Sequence, residues 1–371
     1  MVKKLLSLIV AAACCLGMCG CGNLYEKEYV VVSDYIIPSE NKNSSERISV
    51  SNLSELTAQI RALVSGGKEH GSIQFAEGYN GEPSEDLASA CWSVRTQDAL
   101  CAYCVDNISY QLNSVISCPE ADINIAYSGK GVPFDEINQI QYAGGIAEII
   151  KKAISNGTAK TAVLVNSGNM TSADVEALAV QIYEEDPIIC PNTPGCTVSM
   201  FNGSNRQKLY EIRLNYYMEK EELENKSKEL KNLEPFKNDS ALLGDTGRFQ
   251  CVMEYFNDAS YDESVNTVYD ALINKSSGSK GYALGFVALC NKIGLKSMVI
   301  EGQYNYSDHY WNLVNLQGNY YHIDLSNYIQ SINEGADAAS AATPLNDSQF
   351  WGGYRWDTSA YPECIGTLII D

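Results

Sequence analysis

The chain is short of histidine, proline and positive charge, and each shortage removes a class of protein. Only 3 His and 10 Pro occur in 371 residues, against 28 Gly and a hydrophobic fraction of 45%. Collagen-like, low-complexity and wholly disordered chains are excluded by that balance, which is the balance of globular domains. Lys and Arg number 26 against 46 Asp and Glu, a formal net charge of −20. Such a surface repels phosphate backbones, so no nucleic-acid partner is expected. No stretch beyond the N-terminus reaches about 18 consecutive apolar residues, so no second membrane element is expected. Cys101-x-x-Cys104 has no second pair and no suitably placed His. A zinc site is therefore not expected there, and no other cluster implies a metal or organic cofactor. The length accommodates two or three domains, each able to bury its own core.

Cysteine, by contrast, is plentiful: 13 residues, with Cys14, Cys15, Cys19 and Cys21 all near the N-terminus. Lys3 and Lys4 precede an apolar run from Leu5 to Met18, broken only by Ser7 and Gly17. That run is too short for a comfortable permanent span and suits the h-region of an export signal. The segment ends Met18-Cys19-Gly20-Cys21-Gly22-Asn23. It resembles a bacterial lipoprotein signal, in which a small residue precedes the Cys that is lipidated. Cys21, after Gly20, fits better than Cys19, which follows Met18. An ordinary secretory peptide cleaved nearby is the alternative. The resemblance implies a signal peptide over 1–21 and lipidation at Cys21. It also implies an extracytoplasmic place on the bacterial cell surface or envelope, with the membrane as one partner. Extracellular protein, peptide or glycan would be the others. The nine further Cys follow no small-scaffold spacing; Cys190 and Cys196 bracket a turn-rich loop that a disulfide could close. Buried free thiols are the alternative for most of them.

Residues 22–46 read as a polar tether. After it, Val50 to Phe75 and Ile140 to Val165 align at a constant offset. Leu56 meets Ile146, Ile60 meets Ile150, Gly67 meets Gly157, and Ile73 with Phe75 meets Val163 with Val165. Each copy reads as an amphipathic helix, a Gly stop and a short apolar strand, followed by a second helix and alternating strands. We expect two tandem α+β modules, at 47–129 and 130–218, chance similarity of two generic stretches being the alternative. Neither module offers chemistry, and His70 reads as a surface-loop residue. A charged helical linker at 219–240 separates them from a C-terminal domain at 241–371.

The C-terminal domain holds the other two His. Tyr282, Phe286, Leu289 and Ile293 fall on one helix face, Gly294 stops that helix, and Ser279 stands at its N-terminus. Backbone N–H groups and the helix dipole stabilise negative charge there. Alternating residues around Gln317-Gly318 then predict a hairpin. A two-residue loop pairs Leu316 with Asn319, sets Trp311 opposite Asp324 and makes His309 the same-face diagonal neighbour of Asp324. That separation is about 7–8 Å between backbones, within reach of a carboxylate–imidazole hydrogen bond. A nucleophile, a base and an orienting carboxylate are what acyl transfer needs.

The runs Gly278-Ser279-Lys280-Gly281-Tyr282-Ala283, His309-Tyr310-Trp311-Asn312 and Tyr321-His322-Ile323-Asp324 resemble the transglutaminase-like core of bacterial proteins. The resemblance covers residues 265–328, with looser matches at Phe249–Phe256 and Gly353–Cys364. It implies a papain-like α+β fold and a Cys-His-Asp triad, with Cys on the helix and His and Asp on adjacent strands. Here Ser279 stands at the Cys position, while His309 and Asp324 match. A thiolate can be held ready beside an imidazolium; a serine must lose its proton during attack. Three readings of Ser279 follow: an N-cap, one member of a cleft that binds a peptide or glycan without cutting it, or the nucleophile of a working acyl transferase or hydrolase. The expectation taken forward is a catalytically impaired relative that binds or scaffolds extracellular polymers. His322 and Trp311 read as packing residues.

Overall fold

The computed structural model describes residues 48–114, 118–129, 131–237 and 242–367; the expected signal peptide, Cys21 and the tether lie outside them. Strand β1 (Ile48–Asn52) leads into helix α1 (Leu53–Ser65), whose first turn is closed by the Asn52 side chain accepting the Glu55 N–H at 3.0 Å. Leu56, Ile60 and Val64 recur at helical spacing and are all buried. Strand β2 (His70–Asn80), helices α2 (Pro83–Gln97) and α3 (Ala99–Cys104), and strands β3 (Val105–Ser114) and β4 (Pro119–Tyr127) complete the first sheet. Its order is β1-β2-β4-β3, with β1 and β2 parallel and the other pairs antiparallel.

The second sheet is built from β5 (Asn138–Tyr142), α4 (Ile146–Ser155), β6 (Lys160–Ser167), α5 (Ser172–Glu185), β7 (Gly195–Asn202) and β8 (Lys208–Asn215). Its order, β5-β6-β8-β7, again has one parallel pair followed by antiparallel ones. Val50 pairs with Phe75 in the first sheet, and Ile140 with Val165 in the second. Gly67 and Gly157 both end their helices at φ 63°, a left-handed conformation that favours glycine.

Strand β6 is buried on both faces. Val163 and Val165 pack with Ile150, Val175 and Ile212 under α4 and α5, whereas Ala162 and Leu164 join the core of the first unit with Leu209. Tyr103, from α3, donates from its hydroxyl to Glu211 on β8 at 2.7 Å across this contact. Helix α6 (Lys220–Lys231), within the expected charged linker, is amphipathic: Leu223 and Leu230 are buried and the charged residues lie on the other faces.

Helix α7 (Asp245–Glu254) and the short parallel pair β9 (Ser260–Tyr261) and β10 (Ser276–Ser277) precede α8 (Ser279–Ile293). Periodicity predicts one buried face for α8, but every residue from Gly281 to Cys290 is buried. The third sheet covers one side of this helix, α7 and α9 flank it, and the apolar cluster of α4, α5 and α6 continues into it. That sheet comprises β11 (Ser297–Tyr304), β12 (Ser307–Leu316), β13 (Asn319–Ile323) and β14 (Tyr354–Arg355), in the order β13-β12-β11-β14. Helices α9 (Leu325–Asn333), α10 (Ala338–Ala341) and α11 (Asp347–Phe350) lie between β13 and β14. Leu316 pairs with Asn319, and Gln317 and Gly318 have φ 53° and 88°, the two positive values of a tight hairpin turn. Among the described residues no helix is long and apolar enough to cross a membrane.

Candidate active site

Gly278, not Ser279, holds the N-cap of α8, and Ser279 is the first helical residue. The segment before the helix is pressed against this end. The Gly278 N–H donates to Val265 O at 2.7 Å, and Ser277 Oγ donates to the same carbonyl at 3.1 Å. A Cβ on Gly281 would fall on Ser277 Oγ and lie 2.7 Å from Thr267 O, so glycine is required for the close approach. Ser279 is half-buried, and its hydroxyl has no side-chain partner among the described residues.

The start of β12 lies beside this helix end. Asn312 Nδ2 donates to Ala283 O at 2.9 Å, and Lys280 Nζ stands 5.0 Å from the centre of the Tyr310 ring. His309 and Trp311 point to the opposite face from Tyr310 and Asn312, following strand alternation. His309 pairs in register with Gly302 of β11. A Cβ on Gly302 would strike the Trp311 ring and Arg355 O, so the bare backbone here makes room for the indole and for β14.

His309 Nε2 donates to Asp324 Oδ2 at 2.6 Å, and both residues are buried. Asp324 caps α9, its Oδ1 accepting the Asn327 N–H at 3.0 Å and the Ser326 hydroxyl at 2.6 Å. Its Oδ2 also accepts the Tyr354 hydroxyl at 2.8 Å. Burial acts to raise the Asp324 carboxyl; the hydrogen bonds and charge of His309, with Ser326 and Asn327, outweigh it and hold the group below its ordinary range. Burial and the adjoining Asp324 charge push the Tyr354 phenol far up, so it stays a hydrogen-bond donor. With Nε2 directed at Asp324, Nδ1 is the ring nitrogen that has no partner among the described residues. His309 and Asp324 are thus joined directly, while no hydrogen bond connects Ser279 to His309 among the described residues.

Sequence reasoning missed Ser326 and Asn327, and it gave no role to Asn312 or Tyr354, which it held only as members of matched runs. Gly353, with φ 92°, marks the turn that delivers Tyr354 to β11. His322 lies deeper, 1% exposed and stacked on Phe350 at 4.3 Å. Its Nδ1 accepts the Trp311 indole N–H at 3.0 Å, and its Nε2 donates to Asp347 Oδ1 at 2.8 Å. Burial lowers the His322 imidazole, partly opposed by Asp347.

His322, Asp347 and Cys364 bring metal-type donor atoms within 4.8 Å of one another. The donor chemistry does not suit a cation. A ligating Nε2 would need its proton on Nδ1, which already accepts from the indole. Asp347 Oδ2 accepts the Cys364 N–H at 3.0 Å, and burial pushes the Cys364 thiol up to about 12. The nine Cys of the described residues are free thiols, Cys190 and Cys196 included.

A cavity of about 280 Å³ lies against Asp324, lined by His322, Asn327, Tyr328, Phe350 and Tyr354 among others; Ser279 and His309 are not in its wall.

No family model matches the chain, and no curated protein matches its sequence. Among solved structures, the chain is similar to a transglutaminase at 12% identity and a TM-score of 0.23, over 47% of this chain and 53% of that one. It is also similar to a candidate cysteine protease from Cytophaga hutchinsonii at 10% identity and a TM-score of 0.19, over 35% of this chain and 62% of the other. The chain therefore spans about half the length of the first structure and about three-fifths of the second.

Proposed function

We propose that residues 241–371 form a transglutaminase-like domain that binds an extracellular peptide or polysaccharide without turning it over. In this reading residues 47–129 and 130–218 are tandem repeat modules, and lipid on Cys21 anchors the protein at the bacterial surface. One observation carries the impaired reading: His309 is committed to Asp324, while the Ser279 hydroxyl contacts no base among the described residues. A thiolate would tolerate that separation, because its proton is already gone; a serine needs the base in contact as it attacks.

A second reading is favoured by the same two groups. Among the described residues Ser279 Oγ and His309 Nδ1 are both without partners, so each is available to the other if the helix end and the strand rearrange to bring them together. Ser279 Oγ would then attack a carbonyl carbon as its proton passes to His309 Nδ1. The leaving amine would take that proton, and water or a second amine would release the acyl group.

Labelling with a serine-directed acylating probe, read by peptide mass spectrometry, separates the two. Stoichiometric labelling at Ser279, lost in Ser279→Ala, would establish the enzyme and end the impaired reading. No labelling, together with saturable binding of peptidoglycan fragments or peptides to the native protein, supports the binding reading. Peptide or amide hydrolysis gained by Ser279→Cys would show that the nucleophile alone is missing.

A further inference from the structure

We propose that Tyr354 is a positioning residue for the His309–Asp324 pair, acting through the carboxylate oxygen that it shares with the imidazole. The inference rests on the reading of His309 and Asp324 as base and orienter of a triad-like site. A carboxyl group rotates broadly about its last torsion, so burial alone does not decide which oxygen meets the imidazole. Here each oxygen has its own donors. Oδ1 takes Ser326 Oγ and the Asn327 N–H, and Oδ2 takes His309 Nε2 at 2.6 Å and the Tyr354 hydroxyl at 2.8 Å. Asn327 Nδ2 donates in turn to the Tyr354 oxygen, which strengthens the phenol as a donor.

Tyr354 arrives at this point by a separate route through the chain. Strand β14 pairs with β11 through Tyr304 and Tyr354, and Asn305 N donates to Gly353 O at 3.0 Å. The ring is held between Tyr304, with centres 4.5 Å apart, and Phe350 at 3.9 Å. Further back, the His322–Asp347 hydrogen bond fastens α11 to the sheet. The C-terminal segment thus sets the charge that Asp324 presents to His309. With the phenol in place, part of the negative charge on Oδ2 is drawn away from the imidazole. Without it, Asp324 becomes the stronger acceptor toward His309 alone.

The test is the proton resonance of the His309 Nε2–H, assigned by its loss in His309→Gln, in the full chain. Tyr354→Phe keeps the ring and removes the donor, and the resonance is expected to move further downfield. Asn327→Ala weakens the phenol as a donor, and a smaller movement in the same direction is expected. A resonance unmoved in Tyr354→Phe, with the melting curve intact, overturns the proposal. Should Tyr354→Phe not fold, an unmoved resonance in Asn327→Ala overturns it equally. The readout requires no turnover: if the resonance moves and Ser279 is never acylated, the positioning role stands while the enzyme reading fails.

Discussion

The indole N–H of Trp311 donates to Nδ1 of His322 at 3.0 Å across β12 and β13, which fixes the proton of that imidazole on the side of Asp347. Trp311 and His322 are buried, while Asp347 at the far end is partly exposed. His322→Ala would strand the buried indole N–H, at a cost of about 1–3 kcal/mol, while the part-exposed Asp347 oxygen can turn to water. Urea denaturation of the variant should show that loss.

The same imidazole gives a dependence on pH. Its folded-state pKa lies below its ordinary value of 6.5, so the unfolded chain binds the proton more readily. Its stabilising contribution is complete above 6.5 and is lost as pH falls below it. Asp324 works in the same direction lower on the scale: its folded pKa is below 3.8, and its contribution fades as pH falls through that folded value. Thermal melts from pH 8 to pH 4 should steepen in their decline below pH 6.5 in the native chain and less so in His322→Gln.

Asp324→Ala breaks the buried pair, uncaps α9 and frees the Tyr354 hydroxyl in one step. Each buried donor left without its acceptor costs about 1–3 kcal/mol. Asp324→Asn keeps an acceptor for the Asn327 N–H and should cost less. The difference between the two in urea midpoint measures how much of the effect belongs to charge.

Gly281→Ala tests the close approach at the start of α8. A methyl there meets Ser277 Oγ and Thr267 O, and overpacking of this kind costs about 1–3 kcal/mol. Gly318→Ala meets no atom within 4 Å, so its penalty comes only from φ 88°. Comparison of the two melting temperatures separates a steric cost from a conformational one.

Alkylation should sort the thiols by depth. Burial pushes Cys290 up to about 12 and Cys190 up to about 11, and both side chains are covered. Among the nine thiols of the described residues, iodoacetamide at pH 8 should mark Cys118 and Cys251 first, reaching Cys101 and Cys290 only in urea. Rapid native labelling of Cys290 would contradict the depth assigned to α8.

The parts of this fold that announce themselves in sequence do so through local rules. The hairpin of β12 and β13 follows from alternation and from Gln317-Gly318, and its register alone leads His309 to Asp324. The stop of α8 is marked by Gly294, and its start at Ser279 is legible too, although the cap itself falls on Gly278. The burial of α8 on every side is invisible to a periodicity argument, because it depends on neighbours from the third sheet and from helices distant in sequence. Strands β1, β5 and β14 are two to five residues long and exist only through their partners. Tyr354 is the sharpest case: its contact with Asp324 spans 30 positions of chain with no repeating pattern between them.

Strand β6, covered on both sides, has a consequence for how the molecule comes apart. Ala162, Leu164 and Leu209 need the first unit over them, and Val163 and Val165 belong to a core that continues into α8. Neither neighbour can leave without wetting the middle sheet. Sequence boundaries at 129/130 and 240/241 therefore mark where motifs change, not where the chain could be severed into self-sufficient pieces. The described residues should melt as one cooperative body, and strain at the first sheet should be felt at the helix that carries Ser279.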